Sequence, residues 1–433
     1  MNSSQNNGIY FDDYDRPDME IVNDCVHCGF CLSSCPTYLA TGNELDSPRG
    51  RIYLIKSALE EKIPLGDSLA DHLDKCLGCL ACETSCPSGV KYRFLIENSR
   101  SQIERKYKRN FKNRLIRKTI FKLFPYSNRL KPLLPLLYLY DRVGFRRLLQ
   151  SGRIRKIMPS PLQNMIDMIP SVKNFLHQEL PEVIRAEGDK RFKVGMLKGC
   201  VQDAWFSNIN KSTVNVLTKN GCEVVIPADQ GCCGALSIHS GRLDEGREFA
   251  KRLIDSFIKM NLDAIIVNSA GCGSSVKDYI KLLEHDTVYS EKAKKISAIT
   301  KDVMEFLYES GIQTDLKRID MDVTYQDACH IIHGQRIGDA PRKLLKMIPG
   351  LNFIELPESD HCCGSAGIYN LIQPDMSADI LERKMQNILS TGAEYIAVSN
   401  PGCLMQLQKG IRMNNSKIRI LHPVEILDKA CIP

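Results

Sequence analysis

The chain is poor in tryptophan, with one in 433 residues, and in long apolar runs. Its longest apolar stretch, Leu133 to Tyr140, is 8 residues and contains Pro135. A bilayer-spanning helix needs ~20 such residues, so no helical membrane span is expected. Residues 1–24 are polar and acidic and lack the apolar segment of a secretory leader. No Gly-rich phosphate loop and no flavin or dinucleotide fingerprint is present, so hydride chemistry is expected on another chain. The surplus is in cysteine, at 18 residues. In a chain without a leader, cysteines clustered as C-x2-C point to metal rather than to disulfides. The compartment expected is the cytoplasm, with peripheral contact at the cytoplasmic face of a membrane.

Most of the meaning lies in two runs. The first is Cys25-Val-His-Cys28-Gly-Phe-Cys31-Leu-Ser-Ser-Cys35-Pro36, and the second is Cys76-Leu-Gly-Cys79-Leu-Ala-Cys82-Glu-Thr-Ser-Cys86-Pro87. Both read C-x2-C-x2-C-x3-C-P, in which three cysteines wrap one [4Fe–4S] cube and the fourth reaches the other cube. Zinc ribbons use two separated C-x2-C pairs, a form neither run has. The expected ligand sets are Cys25, Cys28, Cys31 and Cys86 for one cluster, and Cys76, Cys79, Cys82 and Cys35 for the other. Between the runs, Ser47-Pro48 should open a helix, with Ile52, Ile55 and Leu59 on its apolar side.

The chain divides by pattern. Residues 1–20 read as a loosely ordered leader, and 21–100 as a mainly helical ferredoxin domain with two [4Fe–4S] clusters. Residues 101–190 read as a basic helical linker. Residues 101–160 hold 17 Lys and Arg against Glu104 and Asp141 alone. That charge suits a solvated face, an acidic partner or an anionic membrane; no nucleic-acid motif accompanies it, so nucleic acid is not an expected partner.

From Phe192 strands and helices alternate, which implies parallel sheets flanked by helices. The pattern occurs twice, over 191–315 and 316–433. Cys200, Cys232, Cys233 and Cys272 are followed by Cys329, Cys362, Cys363 and Cys403 at offsets of 129, 130, 130 and 131 residues. Each lies just past an expected strand, so each set should converge at the carboxyl edge of its sheet. Each is a candidate third or fourth site for zinc or an iron–sulfur centre. His330 and His361, beside Cys329 and Cys362, are candidate ligands or supporting donors, and His333 a weaker one. His239 reads as structural, and Cys222 and Cys431 fall outside both sets. The fold class expected is α/β plus α: a helical two-cluster domain followed by duplicated α/β Cys-Cys-Gly domains.

These residues resemble a known family, the iron–sulfur subunits of glycolate oxidase (glycolate dehydrogenase). The likeness rests on Cys25-Val-His-Cys-Gly-Phe-Cys, Glu44-Leu-Asp-Ser-Pro-Arg-Gly-Arg-Ile-Tyr-Leu-Ile-Lys, Gly231-Cys-Cys-Gly-Ala and His361-Cys-Cys-Gly-Ser-Ala-Gly. The resemblance implies an oxidoreductase complex in which an FAD-containing subunit oxidises glycolate to glyoxylate. This chain would then carry the electrons to an acceptor, a quinone. The same resemblance extends to iron–sulfur subunits acting with D-lactate or glycerol-3-phosphate dehydrogenases, and to heterodisulfide reductase, where Cys-Cys-Gly units end in C-x2-C. Here Ser275 and Gln406 stand at the last of those positions, which removes one ligand from each site.

Overall fold

The computed structural model describes residues 10–144 and 179–432, together with residues 148, 149, 154, 158, 163, 166, 167 and 169. The first nine residues of the expected leader and most of 145–178 lie outside the described residues.

The N-terminal unit is helical because its apolar residues recur every three or four positions and its turns are capped. Its helices include α1 (Pro36–Thr41), α2 (Pro48–Leu59), α3 (Asp67–Asp74) and α4 (Tyr92–Lys106). Ser47 caps α2 by accepting from the Gly50 amide, with Pro48 at the first helical position. A side chain on Gly50 would lie 2.0 Å from the Glu44 carbonyl, so α2 can pack against that turn only with glycine there. Ile52, Ile55, Leu69, Leu73, Leu95 and Ile96 make the core of this unit.

Residues 10–18 correct the expectation of a loose leader. Phe11 is buried, Gln102 on α4 donates to the Tyr14 carbonyl at 2.7 Å, and Asp15 pairs with Arg105 and Arg247. The acids of this stretch meet cations that the sequence places some 90 and 230 residues away.

The basic segment continues with helices that include α5 (Phe111–Leu123) and α6 (Leu134–Arg142). Part of its charge is spent internally: Arg109 pairs with Asp74, Arg117 with Glu104, and Lys131 with Asp203.

The C-terminal half holds two sheets. The first has five strands in the order β1-β3-β2-β4-β5, with β1 (Val183–Ile184), β2 (Phe192–Leu197), β3 (Cys222–Val225), β4 (Ala264–Val267) and β5 (Thr300–Asp302). The second has the order β7-β6-β8-β9, with β6 (Met321–Gln326), β7 (Leu351–Ile354), β8 (Tyr395–Val398) and β9 (Arg419–Leu421). All pairings are parallel except β1 with β3. Two helices follow β2, α7 (Cys200–Trp205) and α8 (Ser207–Lys219). Phe206 leaves the helical region at φ −129° and ψ 38° and buries its ring in the core. One continuous core, from Val194 and Ile266 to Val323 and Ile396, joins the sheets.

Candidate metal centres

All eighteen cysteines are free thiols. Those of the two runs line two neighbouring cavities. The first, of about 30 Å³, is lined by Cys25, Cys28, Cys31 and Cys86, together with Cys82. The second, of about 20 Å³, is lined by Cys35, Cys76, Cys79 and Cys82. Each run therefore sends its fourth cysteine into the cavity of the other. The loops curl because His27, Gly29, Gly78 and Leu80 have φ of 54°, 90°, 62° and 65°, a left-handed geometry that turns successive thiols inward. Arg49 holds the first loop, donating to the His27 carbonyl at 3.1 Å while its Nε reaches Glu44 at 2.6 Å.

The two cradles differ in exposure. Cys28 is exposed and Cys25, Cys31 and Cys86 are half-buried, whereas Cys35, Cys76, Cys79 and Cys82 are buried. Burial pushes the Cys31 thiol up to about 11 and those of Cys79 and Cys82 well above the ordinary range. A thiolate ligand in such a place needs nearby positive charge. Arg51 supplies it. This guanidinium is 1 % exposed and donates to the His72 carbonyl at 2.7 Å and to the Thr37 hydroxyl at 3.1 Å. Burial raises the Cys76 thiol, yet Arg51, Arg100, the Gly78 amide and the Tyr92 hydroxyl together bring it below the usual value. A buried cation beside these cysteine sulfurs fits a cofactor of net negative charge.

The Cys-Cys-Gly repeats meet across a third cavity of about 220 Å³. Cys200, Cys232, Cys233 and Cys272 line it from one copy, and Cys329, Cys362, Cys363 and Cys403 from the other. The sheets put them there: Cys200 begins α7 directly after β2, and Cys272 lies on α10 (Ala270–Lys277) after β4. In the first copy the Cys200 and Cys232 sulfurs are 3.7 Å apart, and hydrogen bonds from Cys232 and Cys272 lower the Cys233 thiol well below its usual range. In the second copy burial and contact with neighbouring thiols raise Cys362 and Cys363. Among the described residues, no three His, Cys, Asp or Glu side chains are arranged to hold a single metal ion; the thiols ring the cavity instead.

Cys76, Leu77 and Gly78 of the second run also line this cavity, so the buried cradle and the central cavity share a wall. His330 crosses it. Its Nε2 pairs with the Gly78 carbonyl at 3.0 Å, and its ring meets His239 edge to face at 4.7 Å between centroids. Burial pushes His330 down to about 3, so it is neutral. His333 spans the Thr84 hydroxyl and the Asp360 carbonyl. His239 pairs with Glu97 at 2.8 Å and lies 3.3 Å from the Ser275 hydroxyl. Ser275 and Gln406 are both buried, and Gln406 donates to Ser377 at 2.9 Å.

Several residues that assemble the site carried no sequence signal. Arg93 bridges Glu83 at 2.9 Å and Asp278 at 2.7 Å. Arg100 donates to the His239 carbonyl at 2.8 Å and to the carbonyls of Leu73 and Cys76. Asn400 of the second copy accepts from the Gly271 amide of the first at 3.2 Å. Spacing marks thiols, but nothing in spacing marks an arginine whose partner lies 185 residues away.

Known families match four stretches of the chain. Residues 21–90 match a 4Fe-4S dicluster domain, and 194–277 and 323–408 each match a cysteine-rich domain. Residues 112–169 match the linker region of the glycolate oxidase iron–sulfur subunit. The chain is 39% identical over 420 residues to the probable glycolate oxidase iron–sulfur subunit of Bacillus subtilis, covering 95% of this chain and 94% of that one. It is 34% identical over 421 residues to the glycolate oxidase iron–sulfur subunit of Escherichia coli, again covering 95% and 94%. Lactate utilization protein A of Oceanobacillus iheyensis is 32% identical over 237 residues, which is 54% of this chain and 96% of that one.

Proposed function

The chain belongs to the family of glycolate oxidase iron–sulfur subunits, and from that premise we propose that it is the electron-transfer subunit of a glycolate-oxidising complex. An FAD-containing partner oxidises glycolate to glyoxylate, and this chain delivers the electrons to a quinone. The observation that carries the reading is the exchange of fourth cysteines between two adjacent cavities, with Cys86 beside Cys25, Cys28 and Cys31, and Cys35 beside Cys76, Cys79 and Cys82. These two sets would hold one [4Fe–4S] cluster each, and the two Cys-Cys-Gly sets a further iron–sulfur centre. When bound, such clusters supply reversible one-electron transfer. The protein's own part is to set the cations of Arg51 and Arg100 beside Cys76, to exclude water around the second cradle, and to leave the first open at Cys28.

Contact with the cytoplasmic face of a membrane belongs to the same reading. Lys112, Arg114, Lys118 and Lys122 of α5 are exposed beside Phe111 and Leu115, themselves 71 % and 52 % exposed. Each cation near an anionic surface contributes ~1 kcal/mol. No helix among the described residues is long and apolar enough to cross a membrane.

The test is purification of the chain with its native partners. Glycolate should bleach the visible absorption of the complex. Recovery of a flavoprotein that oxidises D-lactate or glycerol 3-phosphate, and not glycolate, would sink this substrate assignment. The likeness to lactate utilization protein A makes D-lactate the control to run beside it.

A further inference from the structure

A fourth cavity, of about 190 Å³, shares Cys362 with the central one. Its apolar wall comes from Pro36, Leu39 and Ala40 of α1 together with Ile380, and its polar end from His361 and Lys384. Lys384 lies on α12 (Pro374–Ser390) and is 2 % exposed. Its ammonium donates to the Glu358 carbonyl; an ammonium has three donors, and that carbonyl takes one. Burying a lysine is costly unless its charge is paired and hydrogen-bonded.

The duplication shows that the fold does not require this lysine. A side chain on Gly234 would meet Gly246 and Phe249 of α9 (Leu243–Phe257), and one on Gly364 would meet Ser377 and Ile380 of α12. Those contacts set the two helices in register, and the same register places Leu253, 1 % exposed, where the second copy has Lys384. Likewise Gly231 stands for His361, beside the paired cysteines. The first copy thus closes with an apolar side chain and glycine what the second opens with two hydrogen-bonding groups.

The charges decide what fits. Lys384 and Arg383 are balanced by Glu358 and Asp379 in the same lining, and Glu358 is engaged by Arg383 through Nε at 2.8 Å and by Asn387 at 2.9 Å. A site with no net charge selects a neutral molecule over an anion. Apolar lining beside hydrogen-bond donors suits a ring bearing carbonyl oxygens.

We propose that this cavity binds the head group of a quinone, with a ring carbonyl accepting from Lys384 and the ring against Leu39 and Pro36. The inference rests on the electron-transfer reading above and names where the acceptor of that chain sits. Reduction there is quinone plus two electrons plus two protons giving quinol. The electrons come one at a time from reduced iron–sulfur centres held by this chain, and the protons come from solvent.

Binding is read without turnover, by equilibrium dialysis of a short-chain quinone against the purified, cluster-loaded chain. Lys384→Met keeps the length of the side chain and approaches the leucine of the first copy, and Leu39→Trp fills the cavity from the opposite wall. Each should weaken binding ~10-fold or more, as loss of one buried hydrogen bond or of the space itself requires, with iron content equal to that of the wild type. Equal quinone affinity in wild type and both variants would overturn the site. A complex that oxidises glycolate with a dye but not with quinone would overturn the acceptor reading, while variant-sensitive quinone binding in that same chain would still support the cavity.

Discussion

Arg51 is the residue on which the buried cradle depends most. It sits among Cys35, Cys76 and Asp46, with its guanidinium 3.7 Å from the Asp46 carboxylate. Asp46 is itself buried and also accepts from His72 at 2.7 Å. Removing one partner of such a buried pair typically costs about 3–5 kcal/mol, because the other charge is left uncompensated. Arg51→Met should destabilise the N-terminal unit by that order in chemical denaturation. In the loaded protein it should also shift the more buried cluster to a more negative reduction potential, read by redox titration with EPR. A potential and stability equal to wild type would remove Arg51 from its role as the compensating charge. The residue was visible in the sequence only as one of two arginines near the first run. Its burial was not legible, because the sequence does not say that the His72 carbonyl and the Thr37 hydroxyl close over it. The cysteines were legible one by one, since metal ligation imposes its own spacing.

At the scale of elements, the long parallel strands could be read from their apolar runs, but the short ones could not. The strand β5, Thr300-Lys-Asp302, has no aliphatic or aromatic residue to stand out, and it and β9 are each only three residues long. Both exist because a neighbouring strand offers unpaired backbone groups, a tertiary cause that local pattern does not carry. The end of β5 carries a testable pH effect. Asp302 caps α11 (Val303–Ser310), accepting from the Met304 amide at 2.9 Å, and Glu305 completes the capping box. Burial pushes its carboxyl up to about 7. A raised carboxylate means that the folded chain holds the proton more tightly than the unfolded one, so stability falls as pH rises from about 4 toward 7. Asp302→Asn keeps a capping oxygen and cannot ionise. Its stability relative to wild type should therefore rise by ~2 kcal/mol between pH 5 and pH 8, measured by urea denaturation at each pH. A difference that does not vary with pH would contradict the buried, protonated state of Asp302.

For the whole molecule, the claim is that one buried wall joins the ferredoxin unit to the duplicated half. Arg93 holds that wall, reaching Glu83 beside Cys82 and Asp278 at the end of α10. Arg93→Met leaves Glu83, 5 % exposed in its side chain, without its cation, and should cost about 3 kcal/mol. It should also split a single unfolding transition into two. Retention of one transition at unchanged midpoint would show that the halves are joined by other contacts. The duplication itself was legible from four cysteine offsets, but the facing of the two copies across one cavity was not. That arrangement depends on Asn400 and Ser399 meeting Gly271 and Ala270, contacts between residues of ordinary type. The central claim is that eight thiols of the two runs hold two four-iron clusters, with the Cys-Cys-Gly cavity holding more. The most direct measurement is iron and acid-labile sulfide per chain in anaerobically purified wild type and Cys86→Ser, with EPR of the reduced samples. The account predicts more than about eight irons in the wild type, and a selective loss of the signal of the exposed cluster in Cys86→Ser. Absence of iron in the wild type, or a Cys86→Ser protein with its full iron content and unchanged spectrum, would contradict it.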